Sequence, residues 1–285
     1  MTPTIAILAP GAMGSAVARR LSEHGARVLT SLKGRSEATL KRAADAGMIG
    51  AEDDAIAGAD IILSIVPPSE AVTLAKRLAG MIVKRANKPI VVDCNAVNVD
   101  TVHRIAEMIG SAQARFVDAG IIGFPPQPGG KGPAFYMSGE HAKDLAVLGQ
   151  FGLDVRVIDG PVGAASALKM SYAGIVKGLA GIGSAMVLAA TQAGAADALR
   201  NELALSQPAI LARLEIALPD MIPKAYRWVA EMREIAGFLG PDHPANLIYE
   251  GFARWFEHVA DDAKGEAEDA ELLKAFAASV AQKKA

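Results

Sequence analysis

One cysteine, Cys94, occurs in 285 residues. That excludes an internal disulfide and a cysteine-based zinc centre, and it suits a reducing compartment, so a cytoplasmic location is expected. Aromatic residues make up only 5% of the chain while hydrophobic residues make up 51%. The core must therefore be Ala, Val, Ile and Leu, which fits helices lying close on a sheet. Net charge is -2 and no basic tract occurs, so nucleic acid is not an expected partner. The five histidines are scattered without metal-ligand spacing, and no metal is expected. His243, in the turn at residues 240–244, is the one that could approach a cleft. No basic segment precedes an apolar run at the N-terminus, so no signal peptide is expected. Residues 178–196 carry no charge but hold four glycines with Ser184, Thr191 and Gln192. That run reads as a helix buried in protein, and a membrane is not an expected partner.

What is present begins with Ile5-Ala6-Ile7-Leu8, an apolar run suited to a strand covered on both faces. Gly11-Ala12-Met13-Gly14 follows, then small residues at helical spacing. Strand, tight turn and helix N-terminus together present unpaired N–H groups and a positive dipole end to an anion. Two of the three glycines of the dinucleotide fingerprint are in place, with Ala9 standing where the first would be. Further strands are expected at 26–31, 59–66, 89–95, 115–120, 134–139 and 155–158. Helices are expected at 37–47, at 69–80 with Ser69 as N-cap, and at 99–109. Such alternation predicts a Rossmann-type, doubly wound parallel α/β sheet over residues 1–160. Ligands bind beyond the C-terminal strand ends of such sheets. Pro10 to Gly14, Ser31, Val66, Pro67, Asn95 and Gly120 to Phe124 then border one crevice, with Asn95 placed to bond a nicotinamide or its ribose. The second strand runs into Ser31-Leu32-Lys33-Gly34-Arg35-Ser36 without the acid that would accept a ribose 2′-hydroxyl. Ser31, Arg35 and Ser36 suit a 2′-phosphate, so NADP is the expected cofactor, with NAD possible. A solvated turn that merely carries charge would read the same way. Cys94 reads as a small residue at a strand end, since Asp93 and Asn95 offer its thiol no activation.

From residue 161 no strand pattern returns, and residues 161–285 are expected to form an all-α substrate and dimerisation domain. Its first helix, expected to start at Asp159-Gly160-Pro161 with Asp159 as the capping candidate and Pro161 in the first turn, holds Lys169 and Lys177 and almost no other charge. A lysine there either reaches out to solvent or stands at a cleft with its pKa pulled down for proton transfer. Tyr172 and Ala173 share the face of Lys169, and Lys177 lies further along. Glycines 174, 178, 181 and 183 permit close backbone approach, which suggests a homodimer.

Four stretches resemble the β-hydroxyacid dehydrogenase superfamily, which includes 6-phosphogluconate and 3-hydroxyisobutyrate dehydrogenases. Gly11-Ala12-Met13-Gly14 is similar to its G-x-M-G turn. Asp118-Ala119-Gly120-Ile121-Ile122-Gly123 stands where the superfamily carries the substrate motif D-A-P-V-S-G-G. Gly163 to Lys169 resembles G-x-[GA]-x-x-x-K, whose lysine is the catalytic acid/base. Residues 219–235, with Tyr226-Arg227-Trp228 and Glu231-Met232, resemble an uncharacterised C-terminal domain found on relatives of phosphogluconate dehydrogenase. The resemblance implies hydride transfer between nicotinamide and a CH–OH group of a small hydroxyacid-like substrate, Lys169 as acid/base, and a dimer. Ile122 and Phe124 replace Ser and Gly of the substrate motif, and Ala173 replaces an Asn. A substrate with a larger apolar part is expected from those replacements. An imine reductase-like enzyme and a non-catalytic dinucleotide-binding regulator remain as alternatives.

Overall fold

The computed structural model of the protein describes residues 2–127 and 129–278. The chain divides into two compact units, Met1–Met170 and Ser171–Ala285. This division falls inside a helix whose first turns are held by the sheet.

The first unit is a single eight-stranded sheet. Its strands are β1 (Thr4–Leu8), β2 (Arg27–Thr30), β3 (Ile49–Gly50), β4 (Ile61–Ser64), β5 (Ile90–Asp93), β6 (Arg115–Ile122), β7 (Ala134–Ser138) and β8 (Asp154–Val157). They lie in the order β3-β2-β1-β4-β5-β6-β7-β8. The pairings from β3 through to β6 are parallel. β7 runs antiparallel to β6, and β8 parallel to β7, so the expected parallel sheet is extended beyond β6 by one reversed strand and its partner. The reason is local: the described residues between β6 and β7 hold no helix to carry the chain back over the sheet, and a helix-free return gives an antiparallel neighbour.

Helices α1 (Ala12–Glu23), α2 (Glu37–Asp45), α3 (Asp53–Ala57), α4 (Pro68–Ile82) and α5 (Val99–Ser111) connect the parallel strands. α4 begins one residue before the expected cap. Pro67 is its N-cap and Pro68 opens the helix, where a missing N–H costs nothing. Alternate residues of each strand feed one of two cores. Ile5, Ile7, Leu63, Val92, Val117 and Phe135 meet α1 through Val17 and Leu21. Ala6, Ile62, Val91 and Phe116 meet α4 and α5 through Leu78, Ile82, Ile105 and Ile109. Both faces are covered, which is why the strand sequences read as unbroken apolar runs. β3, α3 and a ten-residue 3-10 segment, Ala142–Phe151, were not expected from the sequence pattern. The first two are too short to show a period.

α6 (Ala164–Gln192) crosses from the first unit into the second. The second unit continues with α7 (Ala196–Ser206), α8 (Pro208–Met221), α9 (Ala225–Leu239), α10 (Asn246–Asp262) and α11 (Glu268–Ala278). By length and composition α6 is the one helix among the described residues that could cross a membrane. Its glycines instead receive side chains of its own unit. A Cβ on Gly174 would meet the Tyr249 hydroxyl at 2.8 Å, and one on Gly181 would meet the Phe252 ring at 2.7 Å. Trp255 of α10 also donates to the Ser184 hydroxyl of α6 at 2.8 Å.

Candidate functional site

The turn after β1 has the geometry of an anion cradle. Gly11 caps α1 in extended conformation without any side-chain cap, so the first N–H groups of the helix stay open. A Cβ on Gly11 would meet nothing within 4 Å, whereas one on Gly14 would run into the carbonyl oxygen of Ala9. Gly14 is therefore required by helix-on-strand packing, and Gly11 leaves room for a ligand. Ala12 and Met13 follow in the first turn of α1. A dinucleotide pyrophosphate fits this open N-terminus and the space over Gly11.

Across the turn, the Thr30 hydroxyl donates to the Ile7 carbonyl at 2.8 Å and closes the end of β2 on β1. Ser31 is buried beyond it, while Arg35 and Ser36 are exposed, Ser36 at the N-cap of α2. Arg42 escaped the sequence reading. It lies on α2, and its guanidinium donates to the Pro10 carbonyl at 3.2 Å, which brings a cation to the lip of the phosphate turn. Nothing in the sequence revealed the direction of its side chain.

Asn95 stands at the end of β5 but is turned inward. Its Oδ1 accepts from the Val66 N–H at 2.7 Å, and its Nδ2 donates to the Ser64 hydroxyl at 2.8 Å and to Asp93. It shapes the Val66-Pro67 turn, and its amide is occupied by the protein rather than pointed at a nicotinamide. Cys94 is buried, and desolvation raises its thiol well above the ordinary value. That makes it an inert packing group.

Lys169 sits where α6 crosses the end of β6. Gly120 makes the crossing possible: a Cβ there would meet the Ala165 carbonyl oxygen at 2.8 Å and the Lys169 Cβ at 3.2 Å. The ammonium donates to the Ile121 carbonyl at 2.7 Å. Burial lowers its pKa, since the charged form loses water. Lys169 therefore does not reach out to solvent as an isolated lysine can. The start of α6 is capped from the sheet, not by Asp159. Asp118 Oδ2 accepts from Gly163 N at 3.0 Å and Ser166 N at 2.9 Å, and its Oδ1 accepts from the Ser166 hydroxyl at 2.6 Å. The Ser138 hydroxyl accepts from Ala165 N at 3.0 Å. These partners, remote in sequence, start the helix at Ala164 rather than at the expected Asp159-Pro161.

Gly120, Ile121 and Lys169 are thus brought together. Ile122 is half-buried at the strand end, Gly123 leaves the sheet, and Phe124 is 74% exposed. Arg20 of α1 ties the following loop down by donating to the Gln127 and Gly130 carbonyls at 3.0 and 2.7 Å. In the second unit Tyr172 is exposed and Ala173 is buried. Lys177 pairs with Glu231 and lies 5.2 Å from the centre of the Trp228 ring, so its own unit accounts for its charge. His243 accepts from the Ala245 N–H within its own turn. Among the described residues no cluster of three His, Cys, Asp or Glu could hold a metal.

Residues 4–150 match the family described as the NAD binding domain of 6-phosphogluconate dehydrogenase. The chain belongs to that family. In this dehydrogenase-family protein, residues 190–259 also match a domain of unknown function, DUF1932. A curated relative, an uncharacterised 28.5 kDa protein from Methanothermus fervidus, is 36% identical over 176 residues, or 60% of the chain. The chain spans 65% of that relative's length. A conserved protein of unknown function, described as structurally similar to 3-hydroxyacid dehydrogenases, superposes with TM-score 0.72 at 25% identity over 92% of this chain and 98% of its own. The 3-hydroxyisobutyrate dehydrogenase of Mycobacterium tuberculosis superposes with TM-score 0.63 at 16% identity, covering 98% and 99%. An imine reductase variant from Myxococcus stipitatus in complex with NAD+ gives 0.60 at 18%, covering 97% and 99%. The last two likenesses establish the shared fold.

The two turn glycines separate stability from binding. Gly14→Ala is expected to destabilise the protein by about 1–3 kcal/mol through the clash with Ala9. Gly11→Ala should change stability by less than about 0.5 kcal/mol while weakening dinucleotide binding. Urea unfolding and a dinucleotide titration on both variants check this.

Proposed function

We propose that the protein is an NADP-dependent oxidoreductase acting on the CH–OH group of a hydroxyacid-like substrate, with Lys169 as general acid/base. The observation that carries this reading is the half-buried Lys169 amine, its pKa lowered by desolvation, held 2.7 Å from the Ile121 carbonyl at the strand ends where the dinucleotide turn also opens. Gly11, Ala12, Met13 and Gly14 would receive the pyrophosphate. Ser31, Arg35 and Ser36, with Arg42 beside Pro10, would receive a 2′-phosphate. Val66 and Pro67, held by Asn95, would border the rest of the dinucleotide. A bound nicotinamide supplies hydride chemistry, and the chain supplies placement and the proton. In oxidation Lys169 takes the hydroxyl proton as a neutral amine; in reduction it returns the proton as an ammonium. A lowered pKa moves the amine closer to working pH, where a group that must act in both states is most effective.

Gly120, Ile121, Ile122, Gly123 and Phe124 would line the substrate's side of the site. The half-buried Ile122 and exposed Phe124 favour a substrate with an apolar portion. Tyr172, Ala173 and Lys177 stand in the other unit. The exposure of Tyr172 three residues beyond Lys169 supports a second reading, reduction of an imine with Tyr172 as the proton donor. The exposed apolar residues of α6, Ile175, Ile182 and Met186, support a homodimer.

Lys169→Ala is expected to lower turnover by about 10²- to 10⁴-fold with NADPH binding retained. Steady-state kinetics over a hydroxyacid panel and an imine panel provide the test, and unchanged turnover on the accepted substrate would reject the role. Arg35→Ala should weaken NADP binding while sparing NAD, by about tenfold for a lost charge-assisted bond of roughly 1.5 kcal/mol. Equal losses for the two dinucleotides would reject the 2′-phosphate assignment.

A further inference from the structure

Ser64, Asp93, Asp118 and Ser138 are register partners across β4, β5, β6 and β7. All four are buried, and each closes or interrupts an apolar run at the ligand edge of the sheet. They form a polar rung through a dry interior, and its two central carboxyls are unequally supplied. Asp118 receives four donors: Gly163 N, Ser166 N, and the hydroxyls of Ser166 and Ser138, the last at 3.2 Å. That set suits a carboxylate. Asp93, one strand away, receives Asn95 on Oδ1, while its buried Oδ2 has no hydrogen-bond partner. An ionised carboxylate with a bare buried oxygen beside another ionised carboxylate is strongly disfavoured. A neutral acid in the same place is tolerable.

The surroundings offer Asp93 no compensating cation. β4 presents the neutral Ser64, and its own strand presents the buried Cys94 thiol and Asn95. α5 presents His103, which faces the Val162 carbonyl at 3.1 Å. Lys169 on α6 turns to Ile121. Burial and the charge of Asp118 push the Asp93 carboxyl up to about 7, against hydrogen bonds from Asn95 and Ser64 that pull it the other way. The rung has a function-bearing group at each end. Through Asn95, Asp93 holds the Val66 N–H and the turn to Pro67. Through Asp118, the start of α6 is fixed, and with it Lys169.

We propose that Asp93 is a positioning residue that works as a neutral acid, so that one proton lets the rung hold the dinucleotide turn and the lysine helix at the same time. This rests on the dehydrogenase reading for the roles of those two ends. When Asp93 ionises, its repulsion from Asp118 must be relieved by loosening one end of the rung. Dinucleotide affinity then falls as pH rises through neutrality. The stability sign agrees. The folded value lies above the ordinary 3.8, so the native state holds a proton that the unfolded chain releases. The contribution of this group to stability is full below about 4 and declines until about 7.

The test is NADPH and NADH titration of the full chain from pH 6 to 9, with thermal melts from pH 4 to 9, on the wild type and Asp93→Asn. The asparagine mimics the neutral acid. Wild-type affinity is expected to fall about tenfold across the range, equivalent to about one pKa unit between free and bound forms, and Asp93→Asn should remove that fall. The melting temperature of the wild type should drop relative to the variant between pH 4 and 7. Infrared difference spectra of the wild type should show a protonated carboxylic acid at pH 6 that is lost by pH 9, a readout that stands even if the variant does not fold. Identical pH profiles for the two proteins, or no protonated acid at pH 6, would overturn the proposal. If the wild type bound neither dinucleotide at any pH, the dehydrogenase reading would fail instead.

Discussion

The capping of α6 by Asp118 is the interaction on which the site depends. A helix start exposes N–H groups that need acceptors, and here the acceptors come from the middle of the sheet. Asp118 on β6 and Ser138 on β7 take up the N–H groups of Gly163, Ala165 and Ser166. Because β6 is paired on both sides, by β5 and β7, the helix is anchored on an interior strand of the sheet. Lys169 stands in the second turn after that anchor, and its ammonium reaches the carbonyl of Ile121 on the same strand. One strand therefore sets both the beginning of the helix and the end of the lysine side chain.

The same strand ends carry the dinucleotide turn. Parallel strands bring their C-terminal ends to one edge, so the loop after β1, the loop after β4 and the end of β6 meet there without any long-range design beyond the sheet itself. Polar residues at the ends of these strands are costly in a dry interior and are paired with one another. The exception, the second oxygen of Asp93, stands between the turn and the helix.

Much of the first unit was legible in the sequence because its strands are covered on both faces. Runs such as Ile61-Ile62-Leu63 and Ile90-Val91-Val92 leave little choice of environment. The reversed direction of β7 was not legible, since strand direction depends on what the intervening loop does and residues 123–133 carry no strong period. Lys169 was legible as a charge isolated in an apolar helix. The inward turn of Asn95 was not, because an amide at a strand end is equally suited to ligand and protein partners. Nor was the α6 cap. Asp159 is the local candidate, while Asp118 lies far away in sequence, and only strand register reveals that Ser64, Asp93, Asp118 and Ser138 align. In the second unit, Lys177 looked like Lys169 on paper, but Glu231 and Trp228 distinguish the two.

The central claim is that the sheet places the Lys169 amine at the edge where the dinucleotide binds. A crystal structure of the protein with NADPH and a hydroxyacid or its keto product tests it most directly. The account predicts the Lys169 nitrogen within hydrogen-bond reach, about 3 Å, of the substrate oxygen that gains or loses the proton, with the Asp118 cap intact. A nitrogen directed into bulk solvent, with another group on that oxygen, would contradict it.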